Sequence, residues 1–248
     1  MMKKFFLIIL FISTAHTGTI HIAISSNMSH TMEALKQRFY KKYPKVKVLV
    51  SMGSSGKMTA QITHGAPYQL FMSADMKFPT HLYAEGLAVT KPVMYAQGSL
   101  AIFSRSKQNF SKGIEILENS HFRTIAIANP KTAPYGEASV SAFKNATIYN
   151  KIKSKLIYGE SISHTISYVL NVADIGLVAK SSLFDIQMKK FKEGVHWTEV
   201  DPTLYVPIEQ GIVILKNGIN NHEVRAFYDF MFSSEAKKIL VNFGYRTL

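Results

Sequence analysis

Four times along this chain, strand-like apolar residues give way to a small polar turn and then to a helical pattern. Ile20, Ile22 and Ile24 alternate with other residues, which predicts a strand. "SSNMSH" follows, and then Met32, Leu35, Phe39 and Tyr43 fall at spacings of three and four, one apolar helix face that ends near Pro44. The second unit runs from a strand at 46–51 through "MGSSGKMTAQI" into a helix carrying Met58 and Ile62, with Gly65 and Pro67 placed to stop it. The third leads from 124–129 through "PKTAPYGEAS" into a helix from Gly136 to about Tyr149. The fourth leads from "SKLIYG" through "ESISHT" into a helix. Strands alternating with helices predict α/β layers with largely parallel sheets.

Further strands are expected at "YQLFMSAD", 99–104, "DIGLVA" and 211–215, and two helices close the chain. A chain of 248 residues with this pattern suits two α/β lobes. The strands at 99–104 and 211–215 are the candidates for passing between them.

The first residues read differently. "MMKKFFLIILFISTAHTG" places Lys3 and Lys4 before an apolar run at 5–12 and then small and polar residues, the order of a secretory signal peptide. Eight apolar residues are too few for a helical span, which needs about 20. Residues 1–18 are therefore expected to be removed on export. The chain has no cysteine, which excludes disulfides, thiolate metal sites and a cysteine-linked lipid anchor.

Charge is strongly basic, with 29 Lys and Arg against 16 Asp and Glu. The lysines are dispersed and accompany no arginine-rich arm or aromatic platform, so nucleic acid is not an expected partner. A solvated basic surface and long-range steering of an anion both fit. The nine histidines are scattered without an HExxH spacing, and no carboxylates pair as a general acid and base, so no enzyme is expected. Asp75 and Asp174, flanked by apolar strand residues, are expected to be structural.

The second turn invites a phosphate-loop reading and fails it. Gly56-Lys57 is followed by Met58 where Ser or Thr is required, and Ser51 stands where the first glycine should be. A nucleophile elbow around Ser55 fails as well, because Lys57 occupies the second glycine position. A helix start remains, with free N–H groups and partial positive charge that favour an anion. Ser54 or Ser55 could equally serve only as the helix cap. Four such turns at the carboxyl ends of two sheets could converge on a ligand in the cleft between lobes.

The series "AISSN", "GSSGKMTAQITHGAPYQLFMSAD", "ANPKTAPYG" and "DIGLVAKS" resembles the periplasmic molybdate-binding proteins of ABC importers. The resemblance spans nearly the whole chain after the leader. It implies a two-lobed periplasmic binding protein fold, each lobe a largely parallel sheet flanked by helices, with the ligand in the interlobe cleft. The lobes would be 19–97 with 210–248, and 98–209. The ligand would be molybdate or tungstate, with no cofactor. The partners would be a membrane permease and its ATPase, the location the periplasm, and the chain a monomer. Oxyanion contacts would map onto Ser26, Asn27, Ser55, Tyr135 and the Ile162 backbone. Some members carry a tyrosine where this chain has Ala179, so the Tyr135 hydroxyl is expected to stand in for it.

The chemistry agrees with that implication. Molybdate and tungstate are fully deprotonated at neutral pH and accept hydrogen bonds without donating any. Hydroxyl, amide and backbone N–H groups therefore suffice, each such bond contributing roughly 1.5–3 kcal/mol. A phosphate site would want an acceptor for the phosphate proton. None of the four turns presents an Asp, and Glu137 and Glu160 are expected to point away. Lys57 and Lys131 are not required at the ligand. Sulfate or a small organic acid remains the alternative ligand.

Overall fold

A computed structural model of the chain describes residues 18–247. The expected leader lies, apart from Gly18, outside the described residues. In chain order the first lobe builds β1 (Thr19–Ser25), α1 (Ser29–Lys42), β2 (Lys47–Gly53), α2 (Ser55–Thr63), β3 (Leu70–Met72), α3 (Lys77–Ala84) and β4 (Val93–Gly98). The chain then crosses into β5 (Leu100–Phe103), β6 (Ile125–Ala128), α4 (Pro134–Asn145), α5 (Tyr149–Ile152), β7 (Leu156–Gly159), α6 (Ile162–Asn171), β8 (Ile175–Ala179) and β9 (Trp197–Glu199). It returns through β10 (Ile208–Ile214) to α7 (His222–Phe230) and α8 (Ser234–Asn242).

The two sheets share one plan. The first has the order β2-β1-β3-β10-β4 and the second β7-β6-β8-β5-β9. In the first, β1 is parallel to β2 and β3, while β10 is antiparallel to β3 and β4. In the second, β6 is parallel to β7 and β8, while β5 is antiparallel to β8 and β9. Each sheet is thus mixed, with four strands running one way and one reversed. The reversed strands are those expected from the sequence to pass between the lobes. A strand that enters a sheet directly from the other lobe has no crossover helix to turn it round.

Both sheets are covered on both faces. Ile20, Ile22 and Ile24 of β1 pack against Met32, Leu35 and Phe39 of α1 and Phe227 of α7. On the opposite face Ala23 and Phe71 meet Met58 and Ile62 of α2. The alternation in β1 is therefore large against small, because α2 lies close over Ala23. In the second lobe Ile102, Ile125, Ile127 and Leu177 pack with Phe143 of α4, and Ala126 and Val178 with Val169 of α6. Burying each such side chain contributes roughly 1.5–3 kcal/mol.

The helix predicted from Gly136 to Tyr149 begins earlier, at Pro134, and ends at Asn145. Proline suits the first helical position because its missing N–H would have no partner there. Past the end, Thr147 takes the left-handed φ of 59°, its N–H reaching the Lys144 carbonyl at 3.0 Å and that of Ile148 the Phe143 carbonyl at 3.0 Å. That is a Schellman stop with threonine where glycine is usual. Ile148, buried beside Phe143, compensates the backbone strain by apolar contact.

Candidate functional site

The four turns do meet. After β1 the chain makes a tight turn, Ser26–Met28, before α1, and α2, α4 and α6 begin at Ser55, Pro134 and Ile162. Ser54 caps α2 by accepting from the Lys57 N–H at 3.4 Å, and Ser161 caps α6 by accepting from the His164 N–H at 3.3 Å. The cap of the second turn is therefore Ser54. Ser54 uses its oxygen on the helix, and Ser55, one residue on, faces the cleft.

Ser26, Asn27, Ser55, Tyr135 and Ile162 all line one pocket of ≈ 10 Å³. Ser25, Gly53, Ser54, Ala74, Ala133 and Pro134 complete its wall, and no charged side chain is among the eleven. Ser55, Tyr135 and Ile162 lie in first turns, where backbone N–H groups have no partner within the helix. Partial positive charge from three helix starts converges there.

Ser25 and Ala74 were not singled out in the sequence. The Ala74 N–H donates to both Ser25 Oγ and Ser55 Oγ at 3.0 Å, and the two hydroxyls also contact each other. One hydroxyl hydrogen runs between the two oxygens, which leaves the other free to turn into the pocket. The only sequence signal was the doubled serine of "AISSN".

Asn27 sits differently from a simple side-chain donor. Its Nδ2 donates to Gln210 Oε1 at 2.9 Å and to the Tyr245 hydroxyl at 2.8 Å. The Tyr245 hydroxyl donates back to the Asn27 carbonyl at 3.1 Å. Burial pushes the Tyr245 hydroxyl up to about 12. The Tyr135 hydroxyl is buried, also pushed well up by burial, and lies beside Gly98 and Gln210 without a well-aligned hydrogen bond. Gly98 ends β4, at the crossing between lobes. The Tyr135 main chain thus stands at a helix start on the pocket wall, while its hydroxyl reaches back towards the crossing strands.

The lobes are closed around the pocket. Ser163 Oγ donates to the Ser26 carbonyl at 2.8 Å, the Ser163 N–H donates to Ser26 Oγ at 3.4 Å, and Ser181 Oγ donates to the Asn27 carbonyl at 3.2 Å. The Gly56 N–H donates to the Thr132 carbonyl at 2.9 Å. A Cβ at Gly56 would lie 3.0 Å from that carbonyl oxygen, so this glycine of the second turn permits close approach of the two lobes.

Charges gather outside. Lys57 pairs with Glu160 across the cleft, and His30 Nδ1 lies 2.9 Å from Asp185 Oδ2. Arg246 lies 3.4 Å from Glu199, which also pairs with Lys180. Lys131 and Glu137 do not line this pocket, and Glu137 instead faces a neighbouring cavity of ≈ 250 Å³ with Asp75 and Lys77. Burial raises the Asp75 carboxyl above its ordinary 3.8, although Ser73 Oγ donates to it at 2.9 Å and the Phe78 N–H at 3.2 Å. Asp174 is partly desolvated, but the N–H groups of Thr124 and Arg123 donate to it at 2.9 and 2.7 Å and hold it below its ordinary value. Asp75 braces its own loop, and Asp174 ties the segment before β8 to the segment before β6.

Two α/β lobes linked by crossing strands and closed over a small uncharged pocket define a solute-binding protein that holds its ligand between lobes. The chain belongs to the bacterial extracellular solute-binding protein family, whose model matches residues 20–246. It is 32% identical over 233 residues to the molybdate-binding protein ModA of Azotobacter vinelandii, covering 93% of this chain and 91% of that protein. The ModA of Rhodobacter capsulatus is 32% identical over 235 residues, covering 94% and 90%. The solved periplasmic molybdate-binding protein of Azotobacter vinelandii superposes with a TM-score of 0.85 at 29% identity, covering 92% of this chain and 99% of that one.

Proposed function

We propose that this protein captures molybdate or tungstate in the periplasm and hands it to the permease and ATPase of an ABC importer. In this reading the lobes are 19–97 with 210–248, and 98–209, and the oxyanion contacts come from Ser26, Asn27, Ser55, Tyr135 and Ile162. Ser26 and Ser55 contribute hydroxyls, and Asn27, Tyr135 and Ile162 contribute main-chain N–H groups. Molybdenum arrives already surrounded by four oxygens, so it needs no protein ligand to the metal itself.

One observation carries the reading: eleven uncharged residues from both lobes enclose a single pocket at three helix starts. A naked dianion accepts from every such donor and needs no acceptor in return. Kinship to two molybdate-binding proteins supports the same ligand. The test is a thermal-shift and calorimetric panel of molybdate, tungstate, sulfate, phosphate and chromate, since a ligand specific to the folded state raises its stability. Molybdate and tungstate are expected to stabilise the protein selectively. Selective stabilisation by sulfate or phosphate would overturn the assignment.

A further inference from the structure

Gln210 is fully buried on β10 and belongs to no charged or catalytic cluster. It stands in the register Ile208, Gln210, Ile212, Ile214, the one polar residue on an apolar face. A bulge falls between Gln210 and Gly211, and Ile208, two residues before, pairs with Gly98 at the end of β4, two residues before β5 begins. Gln210 therefore lies where both connections between the lobes run side by side.

Its orientation follows from its neighbours. Nε2 donates to the Ile208 carbonyl at 3.1 Å and reaches the Ala74 carbonyl at 3.4 Å. Main-chain carbonyls only accept, so the amide nitrogen must face them and Oε1 must face Asn27. Oε1 in turn demands a donor, which turns Nδ2 of Asn27 towards it at 2.9 Å. Two fixed carbonyls thus act through Gln210 on the orientation of a pocket-wall residue, alongside the Tyr245 hydroxyl, which accepts from the same Nδ2 at 2.8 Å. Ala74, whose N–H holds Ser25 and Ser55, is tied to the same amide through its carbonyl.

The geometry points to Gln210 as a positioning residue for oxyanion binding, one that touches no ligand but locks Asn27 and Ala74 to the crossing strands in the closed form. This rests on the oxyanion reading above. When the lobes part, the crossing strands must flex at 98 and 208, and the Gln210 amide is the group that relays that flexing to two pocket walls. Its loss leaves Nδ2 of Asn27 with one partner in place of two and lets the first turn drift.

Calorimetry with molybdate on the wild-type protein, Gln210→Met, Asn27→Ala and the double variant tests this, with melting temperatures measured alongside. Gln210→Met is expected to weaken binding at least tenfold in the wild-type background and less than about twofold in the Asn27→Ala background, because the two residues act as a unit. Equal losses in both backgrounds, or Gln210→Met binding like wild type, would overturn the inference while leaving the oxyanion reading intact. A wild-type protein that binds no tetrahedral oxyanion would overturn both. Gln210→Glu provides a second variant should the methionine variant not fold. A carboxylate opposes the two carbonyls, whereas a protonated carboxyl donates to one of them and still accepts from Asn27. Its affinity relative to wild type should therefore rise as pH falls from 8 to 5.5, and a flat ratio counts against the role.

Discussion

The pocket and its rim lie side by side and are built on opposite electrostatic rules. Inside, eleven residues contribute hydroxyls, amides and helix starts without one formal charge. Outside, Lys57 with Glu160, His30 with Asp185 and Arg246 with Glu199 join the lobes across solvent. The difference teaches how a basic protein can select an anion without using its basic residues. A lysine in the pocket would attract every anion alike. Fixed neutral donors reward only a ligand that accepts at each position, and they avoid the large desolvation cost of burying an ionised side chain. Charge at the rim acts at long range and on closure, where discrimination is not needed.

Placing charge inside is the sharpest way to break this contrast. Ser55→Asp sets a carboxylate against a dianion in a pocket whose lining holds no cation to balance it. The expected loss is at least about 3–5 kcal/mol, over a hundredfold in calorimetric affinity, as for an uncompensated buried charge. Ser55→Ala removes the hydroxyl and one acceptor of the Ala74 N–H, and should cost about 1.5–3 kcal/mol. Affinity unchanged by the alanine variant would show that Ser55 does not touch the ligand.

Tyr135→Phe sharpens the comparison by separating main chain from side chain. The sequence reading has the Tyr135 hydroxyl replacing one missing at Ala179, and predicts a loss of about 1.5–3 kcal/mol. The hydroxyl's place beside Gly98 and Gln210 changes that expectation, because the pocket contact then belongs to the N–H at the α4 start. The phenylalanine variant should bind within about threefold of wild type and melt no lower, since it removes a buried hydroxyl lacking a good partner. A tenfold loss would restore the side-chain role.

Asp75 lies between the two regimes, half-buried next to the pocket wall yet ionisable. Burial raises its carboxyl above 3.8, so the folded protein holds this proton more tightly than the unfolded chain. That stability is fully present below the unfolded value and is lost as pH rises through the raised folded value. Asp75→Asn should therefore reduce the fall in melting temperature from pH 4 towards neutrality. An unchanged slope would show that other carboxyls carry it.

The parts of this design visible in sequence are those with local periods. Alternating Ile20, Ile22 and Ile24, the α1 stripe and Gly65, with its φ of 86°, marked elements that the structure contains. β4 and β9 were not legible because each is an edge strand whose sheet partner, β10 or β5, lies far along the chain or in a different segment. α3 was hidden by Pro79, which reads as a breaker but sits harmlessly in the first turn. The pocket residues were legible as a set of serine-rich turns and through family resemblance. The roles of Ser25 and Gln210 were not, because their partners lie 30, 49, 136 and 183 residues away. Gln210 did leave one trace, a polar residue in an otherwise isoleucine register.

The mildest test concerns the rim itself. Lys57 and Glu160 reach across the cleft from α2 and from the turn before α6, and both side chains are about half exposed. Exposed pairs of this kind contribute at most about 1 kcal/mol and are screened by salt. Lys57 also stands two residues after Ser55 in the first turn of α2, so its removal acts on encounter as well as on closure. Lys57→Ala should lower the association rate of molybdate about twofold at low salt and have almost no effect at 0.5 M, where the Debye length is well under 8 Å. Stopped-flow rates across a salt series measure this directly. A loss that persists at high salt would mean that Lys57 touches the anion, and the division between a neutral interior and a charged rim would then fail.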